Sequence, residues 1–395
     1  MRVLYTAFDV VPGPKGASLH ITQFVRSLVA GGYQVQLITA GDGELPGHAT
    51  YEGASIIRVP PERPGLTFLE RAVAFGHAVM DHVAAAPAYD LVHYRSIWSG
   101  LQLAQARVGS GYRTLFEVNG LPSIELPYHY PDLRQHPLLH KIREQELATL
   151  ALSQAVICPS DVTRAFLVSL GVPRERITII RNGITPSEFA PSPVPIPDSE
   201  PPVILYVGTL AEWQGLDVMI RALPLIIAHH PARLRIVGRG RSRQRKLLER
   251  QIRKLGLEQY VQLEPAVAHH QVPAMIAQAT LCVAPLSLND RNVVQGCCPI
   301  KVLEYMAAGR PLVAANLPVV RELVQEDRDG LLFRPDDPTD LARQITTLLR
   351  DPQLAQRLAR SAAERAHHQF TWHAAGKRLL KQYEALLMRK ERPTV

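Results

Sequence analysis

The same local pattern opens both halves of the chain: a short apolar run, a glycine-containing loop and an amphipathic helix. The first copy begins with the apolar run 3–8 and continues through the loop 13–18 to a helix at 19–30. The second copy begins with the stretch 203–210, in which Gly208 ends the apolar run. Each copy is typical of the opening unit of a doubly wound parallel sheet. Because 395 residues exceed one ordinary core, the sequence predicts an α/β protein of two domains.

Composition and charge narrow the class of protein. A hydrophobic fraction of 46% and a charged fraction of 20% are typical of a packed globular chain. No apolar run is long enough to span a bilayer, and the first residues have the pattern of a strand and not of a signal peptide. We therefore expect a cytoplasmic protein, with the inner face of the membrane as the alternative location.

The net charge of +8 favours anionic partners. Nucleotide diphosphates and anionic lipid surfaces both qualify. Nucleic acid is not expected as a partner, because the sequence lacks the interleaved aromatic and basic residues of a single-strand binder. The four cysteines fit no zinc spacing, so we expect them to be reduced, with Cys158 and Cys282 in the core and the pair Cys297-Cys298 before the helix described next.

A short helix with an anion site at its start is predicted by the stretch 299–311, which reads PIKVLEYMAAGRP. Pro299 suits the first helical position, and Gly309 suits the left-handed residue beyond the last turn. Lys301 and Glu304 are one turn apart near the helix N-terminus, where free N–H groups and the dipole favour a phosphate. Lys301 would hold a diphosphate, and Glu304 could accept hydrogen bonds from ribose hydroxyls. The alternative is an ordinary helix with Lys301 and Glu304 on its solvent-exposed face.

This stretch resembles the nucleotide-sugar signature of the retaining glycosyltransferases of family 4, in a variant form P-x-K-x-x-E-Y-M-A. In that family the last Glu of the signature binds the ribose of the donor, and Glu304 matches it. Similar matches are Asp90–Arg95 to the D-V-V-H-x-H strand end, 237–240 to V-G-x-G, and 370–372 to F-T-W. The resemblance extends from about residue 1 to residue 386.

The resemblance implies a GT-B fold: two Rossmann-like domains whose parallel sheets face each other across a cleft. An acceptor-side domain is expected at 1–188 and a proline-rich linker at 189–202. The nucleotide-sugar-binding domain is expected at 203–370. A final helix at 371–395 is expected to cross back to the first domain.

The activity that the resemblance implies is hexosyl transfer, with retention, from a nucleotide diphosphate sugar to an acceptor hydroxyl of a glycan, glycolipid or small molecule. The donor would be a UDP- or GDP-sugar. We expect no cofactor and no metal, because no paired aspartates lie near the predicted site. Two alternatives stay open: a nucleotide-sugar-binding protein without turnover, and an epimerase or hydrolase of the same fold.

Residues for the donor follow from matched positions. The predicted donor-binding set is Gly16, Gly208, Thr209, Gln214, Gly238, Ile300, Lys301 and Glu304. Relatives usually carry an Arg and a Lys at the positions of Thr209 and Gln214, so two cations are missing. Lys301 stands where relatives have a small or apolar residue and is predicted to replace them. Gly296 replaces an upstream Glu that usually meets the donor sugar or its phosphate.

The N-terminal half carries the remaining predicted site residues. Asn119 stands where many relatives have a His near the donor sugar, and we predict catalytic roles for Asn119 and Lys301. On the acceptor side we predict His93, Arg95 and Glu117, with the far side of the sheet as the alternative position of Glu117. His20 is expected on the surface of the first helix.

One strongly basic segment lies outside these motifs. The run 239–254 holds eight Lys or Arg and a single Glu. It predicts either a solvated helix face or a patch for phosphates or membrane headgroups. The second interpretation makes peripheral contact with an anionic membrane a candidate interaction.

Overall fold

The computed structural model describes residues 1–60, 65–191 and 201–388. The chain divides into two compact units. The first consists of Met1–Arg181 together with the C-terminal segment His373–Val395, and the second of Asn182–Trp372.

An eight-stranded sheet forms the centre of the first unit. Its strands are β1 (Arg2–Val10), β2 (Gln34–Ala40), β3 (His48–Tyr51), β4 (Ala54–Val59), β5 (Leu91–Tyr94), β6 (Arg113–Glu117), β7 (Ala155–Cys158) and β8 (Ile177–Ile179). They lie in the order β3-β4-β2-β1-β5-β6-β7-β8, and only the β3–β4 pair is antiparallel. The order reverses on either side of β1, which places a crevice at the carboxyl ends of β1 and β5.

Helices α1 to α6 connect these strands. Their bounds, with the C-terminal helix of the same unit, are α1 (Gly16–Ala30), α2 (Phe68–Ala85), α3 (Ile97–Ser110), α4 (Pro122–His129), α5 (Pro137–Leu152), α6 (Asp161–Ser169) and α14 (Trp372–Met388). A local sequence signal determines where helix α2 begins. Thr67 and Glu70 form a reciprocal capping box before α2.

A six-stranded parallel sheet forms the centre of the second unit, in the order β11-β10-β9-β12-β13-β14. Its strands are β9 (Val203–Val207), β10 (Arg233–Val237), β11 (Val261–Glu264), β12 (Leu281–Ala284), β13 (Leu312–Ala315) and β14 (Leu331–Phe333). Strands β12 and β13 are buried along their whole length, as expected for a parallel sheet covered on both faces.

Seven α-helices belong to this second unit in the part of the chain that the structure describes. They are α7 (Leu216–Ile227), α8 (Ser242–Lys254), α9 (Val272–Ala277), α10 (Ile300–Ala307), α11 (Pro318–Arg321), α12 (Pro338–Arg350) and α13 (Pro352–Gln369). The helix predicted from the stretch 299–311 is α10. Pro299 precedes it as the cap and is not its first residue, because its ψ of 105° is extended.

The boundary between the units falls earlier than the predicted end of the first domain at residue 188. Residues 182–191 pack within the second unit. Asn182 Nδ2 donates to the Cys298 carbonyl at 2.6 Å, and Ile184 N donates to the Phe370 carbonyl at 2.9 Å. These bonds tie the segment to residues far along the chain. Of the predicted linker 189–202, residues 192–200 lie outside the described part of the chain.

Helix α14 packs on the first unit through polar and aromatic contacts. The Tyr383 hydroxyl is 2.8 Å from His93 Nδ1, Thr178 Oγ1 donates to Gln382 at 2.8 Å, and Arg378 donates to a carbonyl of β8 at 3.1 Å. Residues 389–395 of the predicted final helix lie outside the described residues. Among the helices that the structure describes, none combines the length and the apolar character that crossing a bilayer requires.

Candidate functional site

Two glycines meet at the carboxyl edge of the second sheet, beside the point where the strand order reverses at β9. Gly208 directly follows β9 with φ of +152°, and Gly238 directly follows β10. A side chain on Gly238 would overlap the carbonyl oxygen of Gly208. Because only glycine allows this approach, the two predicted donor-binding glycines form a narrow backbone shelf at the crevice.

Lys301 reaches this shelf from the first turn of α10. Its Nζ donates to the Tyr206 hydroxyl at 2.7 Å and to Gln214 Oε1 at 2.5 Å, and it lies 4.0 Å from the centre of the Tyr206 ring. A β-carbon on Gly208 would stand 2.7 Å from the same Nζ. Both acceptors are neutral, so neither cancels the ammonium charge.

The pKa of Lys301 is lowered to about 7, chiefly because burial removes water from the charged ammonium. The negative charge of Glu304 opposes this shift, whereas the positive charge of Arg291 adds to it. An anion bound beside Nζ would favour the charged form again. Binding of a phosphate beside Lys301 would therefore raise its pKa and increase the fraction of Lys301 that is protonated.

Thr209 and Gln214 join the same hydrogen-bonded group. Gln214 Nε2 lies 3.4 Å from Thr209 Oγ1, and the Tyr206 hydroxyl donates to the Thr209 carbonyl at 2.6 Å. These are the two positions at which the family resemblance implies cations. The structure thus brings Lys301 into contact with Gln214, which lies beside Thr209. That Lys301 replaces the missing cations stays a prediction.

Glu304 lies one turn beyond Lys301 and is buried, with 7% of its surface exposed. Its Oε1 is 3.0 Å from His269 Nε2. Burial lowers the pKa of His269, but the hydrogen bond and charge of Glu304 outweigh this effect and the pKa is raised overall. The alternative of an ordinary helix with Glu304 on a solvent-exposed face is therefore wrong. His269 therefore contacts one of the two carboxylate oxygens of Glu304, Oε1.

The loop before α10 contains a π-helical turn, Arg291–Gln295, which ends at Gly296. Gly296 is buried with φ of +79°. This backbone region favours glycine, so the upstream Glu that relatives carry here would be strained. Ile300, the first residue of α10, follows this loop and is partly buried.

A second polar cluster lies inside the first unit, around Glu117 at the end of β6. Its carboxylate accepts from the Tyr5 hydroxyl at 2.7 Å and from Arg95 Nε at 2.9 Å. The Nε2 atoms of His20 and His93 lie 2.8 Å and 3.1 Å from it. Burial raises the pKa of Glu117, but these histidines and Arg95 outweigh burial and hold it well below its usual range.

One expectation for this region needs correction. His20 is 3% exposed and faces Glu117, so its predicted position on the helix surface is wrong. His93 is fully buried between Glu117 and Tyr383. Glu117 is buried as well. The acceptor-side roles of His93, Arg95 and Glu117 stay predictions. Arg95, which also pairs with Asp9 at 2.5 Å, has 12% of its side chain exposed.

Asn119 follows β6 and its Nδ2 donates to Glu117. Because a carboxylate only accepts, this contact fixes which end of the amide faces Glu117 and directs Oδ1 away from it. Gly16, the first residue of α1, is exposed in the first unit and belongs to neither cluster. The roles of Asn119 and Gly16 stay predictions.

Sequence reasoning missed Tyr206, His269 and Tyr383. Tyr206 is the only residue of β9 with a polar side chain, which is a usable signal. His269 lies in a turn after β11, near a strand end where binding residues concentrate. Tyr383 lies on a C-terminal helix and carries no local signal. Among residues 1–60, 65–191 and 201–388, no group of three or more His, Cys, Asp or Glu side chains is placed to hold a metal ion.

Comparisons with known proteins match both halves of the chain. Residues 14–188 match the family described as Glycosyltransferase Family 4, and residues 201–351 match Glycosyl transferases group 1. An uncharacterized glycosyltransferase of Methanocaldococcus jannaschii is 23% identical over 389 residues, which span 93% of this chain and 94% of that protein.

Two solved structures show the shared fold. Sucrose-phosphate synthase from Thermosynechococcus elongatus superposes with a TM-score of 0.81 at 22% identity, over 98% of each chain. HepE from Anabaena, solved in complex with UDP-glucose, gives a TM-score of 0.78 at 18% identity, over 98% of this chain and all of that one. The two parallel-sheet units therefore have the GT-B architecture.

Proposed function

The chain is a glycosyltransferase whose two halves match the family 4 and group 1 models, and from this premise we propose that it transfers a sugar from a nucleotide diphosphate sugar to an acceptor hydroxyl with retention of configuration. The observation that carries the proposal is the position of Lys301. Its Nζ contacts the neutral side chains of Tyr206 and Gln214 at the carboxyl edge of the second sheet, at the start of a helix. Glu304 follows one turn later and offers one carboxylate oxygen to a ribose.

Electrostatic stabilisation of the departing nucleotide diphosphate is the catalytic principle that fits these residues. Negative charge grows on the phosphate as the bond to the sugar breaks. Lys301, the N-terminal N–H groups of α10 and the backbone at Gly208 would stabilise that charge. We propose that Asn119, with its amide nitrogen held by Glu117, contributes Oδ1 as a hydrogen-bond acceptor for a sugar hydroxyl.

A UDP- or GDP-sugar is the proposed donor, and the UDP-glucose complex of HepE, which shares this fold, supports a nucleotide sugar of this class. The direct test incubates the protein with a panel of UDP- and GDP-sugars, with and without hydroxyl acceptors, and identifies the products. A new glycoside that keeps the donor's anomeric configuration is the expected product. Release of free sugar with every acceptor, an epimerised nucleotide sugar, or binding without turnover would each contradict transfer.

Glu304→Ala is expected to weaken binding of the preferred nucleotide by about 10- to 100-fold. The reason is the loss of a charged hydrogen bond to the ribose, worth roughly 1.5–3 kcal/mol. Isothermal titration calorimetry measures the effect, with Glu258→Ala, at an exposed position of the same unit, as the control. Equal affinity of wild type and Glu304→Ala would remove Glu304 from the donor site.

Metal chelation is expected to leave activity unchanged. Lys301 and a helix N-terminus supply the positive charge that a divalent cation supplies in other enzymes, so the proposed site needs no metal. Initial rates in EDTA, compared with rates in Mg²⁺ or Mn²⁺, decide the point. Loss of activity in EDTA that is restored by either metal would contradict the mechanism.

Binding to an anionic membrane surface, at its inner face in the cell, is proposed for helix α8. The helix buries Leu248 and Ile252 and turns its basic residues outward. The exposed cations of this segment are Arg239, Arg241, Arg243, Lys246, Arg250, Arg253 and Lys254. Near an anionic surface each contributes about 1 kcal/mol, which is lost at high salt.

The protein is expected to sediment with vesicles of phosphatidylglycerol and phosphatidylcholine at low salt. It is not expected to sediment with vesicles of pure phosphatidylcholine. The double variant Lys246→Glu/Arg250→Glu should reduce sedimentation by more than half. An equivalent double variant on the exposed face of α14, Lys377→Glu/Lys381→Glu, serves as the control. An equal loss of sedimentation in the α8 variant and in the control variant would show a general effect of charge and would contradict α8 as the membrane-binding face.

A further inference from the structure

We propose that Arg291 is a second phosphate-binding cation of the donor site, carried by the π-helical turn Arg291–Gln295. The inference rests on the proposed function, and it assigns to this loop the role of one of the cations missing at Thr209 and Gln214. Nothing in the sequence pattern points to Arg291, because it lies outside every matched motif.

The first step is that the π-helical turn is fastened to the turn Glu212–Gln214. Asn292 is fully buried, and its Nδ2 donates to the carbonyls of Trp213 and Ser287, both at 2.8 Å. A buried amide with two acceptors has one well-defined position. The backbone that carries Arg291 is therefore fixed beside the residue that precedes Gln214.

The second step is the placement of the Arg291 side chain. Its guanidinium carbon lies 5.2 Å from the centre of the Trp213 ring, and Nη1 donates to Asn292 Oδ1 at 3.2 Å. Stacking of this kind holds a planar cation in one orientation. Gln214, the neighbour of Trp213, accepts the hydrogen bond from Lys301. Two cations therefore flank two consecutive residues of the same turn.

The third step is electrostatic. The positive charge of Arg291 contributes to lowering the pKa of Lys301. Two like charges near each other repel, and an anion bound beside both relieves that repulsion. The segment 291–300 contains no acidic residue, and glycine stands at position 296 where relatives carry Glu. A diphosphate carries the multiple negative charge that matches such a pair.

The test compares nucleotides that differ only in phosphate number. Wild type, Arg291→Met, Arg291→Lys and the surface control Arg343→Gln are titrated by calorimetry with UDP and UMP, and with GDP and GMP. Methionine keeps an apolar stem on the Trp213 ring and removes only the charge. Thermal unfolding of each variant checks that the fold is kept.

Arg291→Met is expected to weaken binding of the diphosphate by about 10- to 100-fold and binding of the monophosphate much less. The ratio of diphosphate to monophosphate affinity therefore falls. Arg291→Lys should recover part of that preference, and Arg343→Gln should match wild type. An unchanged ratio of diphosphate to monophosphate affinity in Arg291→Met would overturn the assignment. If the diphosphate binds wild type more tightly than Glu304→Ala, the proposed donor site stands even when Arg291 fails. If wild type binds neither diphosphate, both proposals fall.

Discussion

Lys301→Met is expected to lower kcat by about 100- to 1,000-fold with a smaller change in the KM for the donor. The loss has the size seen when one preorganised donor to a developing anion is removed. An interaction that strengthens as the phosphate gains charge acts on kcat, whereas Glu304 should hold the ribose equally in ground and transition states and act mainly on KM. Steady-state kinetics on Lys301→Met and Glu304→Ala separate the two effects.

The matched control for this experiment is Lys381→Met, which removes an exposed lysine from α14. It should retain wild-type kinetics. A Lys301→Met enzyme with wild-type kcat would show that Lys301 does not replace the missing cations. A fall in kcat of equal size in Glu304→Ala would contradict the division of roles between phosphate and ribose.

Lys301→Met should also stabilise the ligand-free protein. The pKa of Lys301 is about 7 in the folded state and about 10.4 in an unfolded chain. Between these values the unfolded chain binds more protons, so the free energy of unfolding rises with pH across this window. Below pH 7 the cost of burying the ammonium is present in full. Lys301→Met should therefore gain about 1–3 kcal/mol at pH 6 and less at pH 9, as measured by denaturant unfolding.

Local features of the sequence predicted much of the donor half of the structure. Runs such as Val203–Val207 predict buried strands because a parallel sheet covered on both faces needs continuous apolar residues. The one-turn spacing of Lys301 and Glu304 is also local, since α10 alone fixes it. The fold class and the position of these two residues could therefore be derived before the structure.

The partners of those residues could not be predicted, because they come from distant segments. His269 is 35 residues from Glu304, and Tyr206 is 95 residues from Lys301. Only the packing of β9, α10 and the turn after β11 brings them together. The predicted surface position of His20 is wrong for a different reason. It sits between the apolar residues Leu19 and Ile21, and the carboxylate that makes a buried histidine tolerable lies on another strand.

Glu117→Gln is expected to cost the first unit about 3–5 kcal/mol of stability, the largest effect on folding that the structure predicts. The substitution leaves Arg95 and the buried histidines without the charge that faces them, and removing one partner of a buried ionic group is strongly destabilising. The amide also presents a donor where the Tyr5 hydroxyl donates at 2.7 Å. Thermal unfolding should show the first unit melting about 10 °C or more earlier.

The pH dependence of this cluster gives a second readout. Because the folded-state pKa of Glu117 is held well below its usual range, its contribution is present above the unfolded value near 4.3 and is lost as pH falls through the folded pKa. Wild type should lose stability on acidification below pH 4, and Glu117→Gln should lose less. Glu144→Gln, at an exposed position of α5, is the control and should change stability by less than about 0.5 kcal/mol. A Glu117→Gln protein as stable as this control would show that the buried carboxylate is not needed to hold His20, His93 and Arg95 in place.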